Sequence, residues 1–253
     1  MPAEPFKSYI VCTTPRSGST MLCKMLAATG VAGAPDSHFH TPSLSRWLAV
    51  YGLEDRKFKD LPSTIKGIFE AAIDRGRGDT DIFGLRLQRG SFAFFLDQLA
   101  LITPGCLTDR ERIKAVFGPT LFIHLWREDR IDQAISRLIA EQSGLWHRNT
   151  DGSELERLSP QQEPRYDKEA IERQVRDLTR LDQAWIDWFS KNEIEPIQIA
   201  YETLARVPNE TLEDILRRLN LDPGKANTVA PETAKLAGER NRVWKKRFLD
   251  QIT

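Results

Sequence analysis

The sequence predicts an α/β fold: a P-loop-like central parallel sheet with helices on both faces. Three observations carry that expectation. A short apolar run, Tyr9-Ile10-Val11-Cys12, enters a Gly/Ser loop and then a helical pattern, the order that opens a phosphate-binding α/β unit. Further strand-like runs stand at Asp81–Leu87, Thr120–Trp126 and Pro196–Tyr201. Helical patterns lie between them, and strands alternating with helices favour a parallel sheet covered on both sides.

Taken in order, Tyr9–Cys12 is apolar and partly β-branched, as a strand buried on both faces requires. Beyond the loop, Met21, Leu22, Met25, Leu26 and Ala28 fall at helical spacing, and Thr29-Gly30 ends the helix. The third strand runs into Glu128–Ser136. There Ile131, Ala134, Ile135 and Leu138 form a buried stripe that leaves Asp132 and Ser136 on a polar face. Arg148 to Asp167 is polar and acid-rich with Pro160 and Pro164, and is expected to be a long surface loop. The clearest helix places Ile171, Val175, Leu178, Leu181, Trp185 and Trp188 at three- and four-residue steps. Near the C-terminus five cations, Arg240, Arg242, Lys245, Lys246 and Arg247, surround Trp244. No repeat or linker divides the chain, so residues 1–253 are expected to form a single domain.

Lys+Arg and Asp+Glu both total 36, which argues against a protein held on nucleic acid or an anionic membrane by bulk positive charge. No run approaches the ~18 apolar residues of a membrane span, and no signal-peptide pattern opens the chain. Cys12, Cys23 and Cys106 lack metal-ligand spacing and suit a reducing compartment. The expectation is a cytoplasmic protein with no nucleic-acid partner and no stable membrane insertion.

Thr13 to Thr20 overlays the register of a Walker A loop, with Gly18 and Thr20 in place. Thr13 replaces the first glycine and Ser19 the lysine that reaches the β/γ-phosphates, which counts against a nucleoside triphosphatase. Arg16 returns a cation to the loop, where a guanidinium forks onto phosphate or sulfate. Backbone N–H groups around Gly18, at the positive end of a helix dipole, suit the same anion. The other reading is a Ser/Gly turn that only caps a helix.

Pro15-Arg16-Ser17-Gly18-Ser19-Thr20 after a strand resembles the 5′-phosphosulfate loop of enzymes that use 3′-phosphoadenosine 5′-phosphosulfate (PAPS). The chain resembles the bacterial carbohydrate sulfotransferases typified by trehalose 2-sulfotransferase, with lipopolysaccharide and Nod-factor relatives. Segments 28–33, 84–86, 127–136, 201–204 and 240–248 follow in that family's order. The resemblance implies PAPS as donor and adenosine 3′,5′-bisphosphate as product, and it implies a carbohydrate or glycolipid acceptor, no metal and a homodimer. It assigns Arg127 and Ser136 to the 3′-phosphate, with Arg240 as a second arginine ligand. From the residues alone, the preferred reading is Arg127 paired with Asp129 or Glu128 and the Ser136 hydroxyl bonded to the preceding helical turn. Arg86 corresponds to a family lysine at the mouth of the site. Gln142, Ser143 and Trp146 match a segment lining the acceptor pocket, although Trp146 is equally a core residue. Tyr201 and Glu202 match a motif that supports the sheet and the phosphate-binding arginines.

Sulfuryl transfer needs alignment of acceptor and sulfur, stabilisation of charge on the bridging oxygen, and a proton acceptor. Arg16 and the loop amides suit the second task. The family's glutamate base, laid on Gly33-Ala34-Pro35, falls on Ser37, which is no base. His38, Asp36 and His40 flank it and are ranked in that order as the base, with His40 also a candidate acceptor contact. The alternative is that Asp36 caps a turn and the histidines are surface residues. His38-Phe39-His40 has no further ligand at metal spacing. The competing functions are a small-metabolite or nucleotide kinase with a degenerate P-loop and a non-catalytic nucleotide-binding protein.

Overall fold

The computed structural model describes residues 4–148, 153–230 and 238–252. The chain opens with β1 (Ser8–Thr13), α1 (Ser19–Ala28), α2 (Leu44–Tyr51), α3 (Leu61–Arg77) and β2 (Phe83–Gln88). It continues through α4 (Arg89–Ile102), α5 (Asp109–Phe117), β3 (Thr120–Trp126), α6 (Arg130–Ser143), β4 (Leu145–Arg148) and β5 (Glu154–Arg157). Then follow α7 (Lys168–Lys191), β6 (Ile197–Ala200), α8 (Tyr201–Arg206), α9 (Pro208–Arg218), a 3₁₀ turn at Pro223–Thr228 and α10 (Glu239–Asp250).

Four strands form a parallel sheet in the order β2-β1-β3-β6. Side chains alternate across it, as the two-residue strand period dictates. Ile10, Cys12, Phe83, Leu85 and Phe122 face an aromatic-rich layer that includes Trp47, Phe69, Phe95 and Trp185. Tyr9, Val11, Ile123, Leu125 and Ile199 face the opposite layer, with Leu22, Met25 and Leu26 of α1 and Leu212, Ile215 and Leu216 of α9. A third cluster joins α6, α7 and α10 through Ile135, Leu138, Ile171, Leu178, Trp244 and Phe248. The expected α/β sheet with helices on both faces is the fold observed.

Three boundaries differ from expectation. β2 begins at Phe83 because Thr80 Oγ1 accepts from Ile82 N at 3.2 Å and closes a turn there. Tyr201 opens α8 instead of ending the strand. The stretch from Arg148 is not wholly loop, since β4 and β5 pair antiparallel with two register shifts. Both strands are four residues long and mostly polar, so no period-two apolar pattern marks them. The hairpin tip, 149–152, lies outside the described residues. Among the described residues no helix is long and apolar enough to cross a membrane.

The strand order places the site. β1 has β2 on one side and β3 on the other, so the connections diverge at its carboxyl end. Open α/β sheets bind ligands at such a switch point. The loop from Thr14 to Gly18 starts there.

Candidate active site

The loop is fixed from several sides. Trp185 Nε1 donates to the Thr13 carbonyl at 2.8 Å, and Thr13 Oγ1 donates to the Leu125 carbonyl at 2.8 Å. The Thr13 and Ser17 hydroxyls are hydrogen-bonded to each other. Arg16 sits at φ 64°, a left-handed conformation that costs a non-glycine residue about 1–2 kcal/mol. Gly18 follows at φ 83°, and a Cβ there would lie 2.4 Å from the Tyr201 ring. Only glycine fits. Gly18 caps α1 with no side-chain hydrogen bond, and no acidic residue stands in the first turn. That helix end therefore keeps its positive character for an anion.

Two arginines converge on this loop. Arg16 Nε donates to Ser136 Oγ at 3.0 Å, and its Nη1 donates to the Trp146 carbonyl. Burial, and next the nearby charge of Arg127, lower the Arg16 pKa to about 10. Arg127 is buried at the end of β3. Its Nη1 donates to the Arg16 carbonyl at 3.2 Å, its Nη2 to the Asp132 carboxylate, and its guanidinium stacks 4.6 Å from the Tyr201 ring centre. Arg127 Nε lies 3.6 Å from Glu202 Oε1, and makes no hydrogen bond among the described residues. Glu202 in turn accepts from the Glu128 and Asp129 amides at 3.0 and 3.2 Å. The carboxylates paired with Arg127 are thus Asp132 and Glu202, not the Asp129 or Glu128 considered from sequence. Asp129 caps α6 through the Asp132 amide at 3.0 Å and pairs with Lys245 of α10, while Asn241 Nδ2 reaches Asp132 Oδ1 at 3.3 Å.

The segment after α1 lies along β2. Gly33, at φ 73°, would place a Cβ 2.3 Å from the Ile82 carbonyl, so this approach also requires glycine. Arg86 N donates to the Asp36 carbonyl at 3.0 Å. The Arg86 side chain then bridges segment and loop: Nε to Ser37 Oγ at 2.7 Å, Nη1 to Thr20 Oγ1 at 2.7 Å and Nη2 to Asp36 Oδ1 at 3.4 Å. The Asp36 side chain remains 74% exposed.

The histidines separate. His40 is exposed. His38, ranked first as base from sequence, is buried, with Nδ1 3.0 Å from Tyr51 Oη and its ring beside Phe83. Burial lowers its pKa to about 4, with Asp36 opposing the shift and Arg75 adding to it. The apolar rings of the helical layer draw it inward, which leaves Asp36 and His40 as the accessible acid–base groups of this segment, and of these Asp36 is the one tied to Arg86.

Other expected residues take different stations. Arg240 is half exposed and pairs with Glu163, so in this structure it does not face Arg127. Gln142 Oε1 accepts from the Arg165 amide at 2.7 Å, and Trp146 meets Arg16 through its carbonyl. Sequence reasoning missed Gln133, Arg130, Asp182 and His124, a buried polar chain behind the loop. A signal was present. Asp182 occupies a position of the α7 stripe between Leu178 and Trp185, and His124 interrupts an apolar strand.

This arrangement, two guanidinium groups beside an uncapped helix N-terminus at a switch point, suits a small polyanion. The chain is similar to known proteins. Trehalose 2-sulfotransferase of Mycobacterium tuberculosis is 30% identical over 264 residues, covering 96% of this chain and 94% of that protein. The protein of the same name from Mycolicibacterium smegmatis is 27% identical over 267 residues, covering 95% and 94%. The solved sulfotransferase domain from the curacin biosynthetic pathway shares the fold at a TM-score of 0.50 and 16% identity, over 98% of both chains. Residues 8–251 match the Stf0 sulphotransferase family, and the chain belongs to that family of enzymes.

Proposed function

We propose that this sulfotransferase moves the sulfuryl group of PAPS to a hydroxyl of a carbohydrate, free or in a glycolipid, without a metal. The observation that carries the donor is the pair of arginines, half-buried Arg16 and buried Arg127, beside the uncapped N-terminus of α1. Arg127 Nε stands 3.6 Å from Glu202 Oε1 and makes no hydrogen bond among the described residues, so a phosphate oxygen would supply the acceptor it lacks. Bound PAPS supplies a sulfuryl group on a good anhydride leaving group. Pro15, Arg16, Ser17, Gly18, Ser19 and Thr20 would hold its 5′ side. Arg127 and Ser136 would hold the 3′-phosphate, with Arg240 reaching it if its Glu163 pair opens.

The names of the two mycobacterial relatives support a carbohydrate acceptor. Asp36 takes the acceptor's proton as the new sulfur–oxygen bond forms. Its carboxylate is exposed, and Arg86 ties it to Thr20 of the loop. Ahead of it, His38 is withdrawn into the core. His40, Arg86, Gln142 and Trp146 remain the acceptor-side contacts. Free Cys12, Cys23 and Cys106 support a cytoplasmic location.

Calorimetry with adenosine 3′,5′-bisphosphate, adenosine 5′-monophosphate and ATP tests the donor. The bisphosphate is expected to bind ~10–100-fold more tightly than the monophosphate, the value of one or more charge-assisted hydrogen bonds. Preference for ATP would overturn this reading in favour of a kinase.

A further inference from the structure

Behind the loop lies a polar chain that none of the roles above uses. Gln133, on the first turns of α6, is fully buried. Its Nε2 donates to the Pro15 carbonyl at 2.7 Å and to Thr14 Oγ1 at 3.1 Å. Its Oε1 accepts from Arg130 Nη1 at 2.8 Å, which fixes the amide's orientation, since a guanidinium only donates. Arg130 Nη2 is held by Asp182 Oδ2 at 2.8 Å, and His124 Nε2 lies 3.1 Å from Asp182 Oδ1. The chain ends 2.9 Å from His124 Nδ1, at Gln198 Oε1 of β6.

The loop end of this chain falls at a telling place. Arg16 is one of three non-glycine residues with positive φ among the described residues. Both peptide planes beside it are gripped by buried side chains: the Pro15 carbonyl by Gln133 and the Arg16 carbonyl by Arg127. A strained conformation persists only where its surroundings over-determine it, and such strain clusters at functional sites. A Gln that spends both donors on consecutive loop residues does more than fill space.

We infer that Gln133, oriented by Arg130 and Asp182, is a positioning residue that holds Arg16 in its left-handed conformation and so keeps its guanidinium, beside Ser136, in the site of the sulfuryl-donor group. The inference rests on the PAPS reading for the identity of that group, but not for the loop geometry. Gln133→Glu keeps the shape and the Arg130 partner and turns the loop-facing donor into an acceptor. Asp182→Asn keeps shape while removing the charge that steers Arg130.

Two measurements separate the possibilities. In the ligand-free protein, Gln133→Glu is expected to speed amide hydrogen exchange at residues 16–18 by about 10-fold while β1 and α6 exchange as before. In assays, kcat falls and the dissociation constant of adenosine 3′,5′-bisphosphate rises, each by about 10-fold or more, while the KM for the acceptor stays within about twofold. Asp182→Asn, one residue further back, shows the same pattern at about threefold, and decides the matter if Gln133→Glu does not fold. Unchanged loop exchange and unchanged kcat in a folded variant would overturn the inference. So would a uniform loss of Tm with kcat intact, which marks a merely structural role. A wild-type protein that ignores the bisphosphate removes the donor reading, and the exchange result still decides the positioning role.

Discussion

Arg127 shows how much one side chain is asked to do at this site. It stacks on Tyr201, pairs with Asp132 and donates to the Arg16 carbonyl. Arg127→Ala is expected to weaken adenosine 3′,5′-bisphosphate ~10–100-fold by calorimetry, the loss of a charge-assisted hydrogen bond. Arg127→Lys should restore only part, because an ammonium neither forks nor stacks as a guanidinium does. For the proton, Asp36→Asn is expected to cut kcat by ~10²–10⁴ with bisphosphate affinity little changed, whereas His38→Gln should cost less than ~10-fold. The reverse order would return the role to His38. His38 also makes a stability prediction. Burial lowers its pKa to about 4 from 6.5, so between those values the unfolded chain takes up a proton that the native state refuses. Stability therefore falls as pH drops through that window. Urea unfolding at about pH 7 and about pH 4.5 should show the wild type losing about 2–3 kcal/mol more than His38→Gln.

Elements explain why parts of the molecule could be read in advance. β3 lies where its apolar run does, and α7 follows its stripe, because hydrophobic period reports local geometry. The same stripe misplaced one detail: Leu181 is half-buried while Asp182 is buried. An acid in an apolar row was the visible trace of the chain behind the loop. The β4–β5 hairpin was invisible because backbone pairing between short polar strands leaves no period. Within the site, the Arg16 loop was legible from its glycine and its place after β1. That Arg16 meets Ser136, 120 positions away, was not, since spacing carries no information on long-range convergence. α10 supplies a test at this scale. Trp244 is its anchor, packed against α6 and α7 and edge-on to Tyr166 at 5.7 Å. Trp244→Ala is expected to cost ~3 kcal/mol, and hydrogen exchange should show α10 opening well before β1 and β3.

Across the whole molecule, 36 cations balance 36 anions, and the site repeats that balance locally. Arg127 sits against Asp132 and Glu202, and Lys245 against Asp129. A neutral surface with one half-buried and one buried guanidinium, Arg16 and Arg127, at a sheet switch point binds by short contacts, not by a long-range field. Salt separates the two mechanisms, because screening acts on exposed charges beyond the Debye length and much less on buried pairs. A protein that neutralises about six to ten DNA phosphates with surface cations loses ~10³–10⁵ in affinity between about 50 and about 200 mM salt, the steep limit of such binding. Here the dissociation constant of adenosine 3′,5′-bisphosphate is expected to rise only about threefold over that range, measured by calorimetry at fixed pH. A rise above about 30-fold would mean that exposed cations, such as Arg240, Arg242 and Lys246 of α10, carry the binding instead of Arg16 and Arg127.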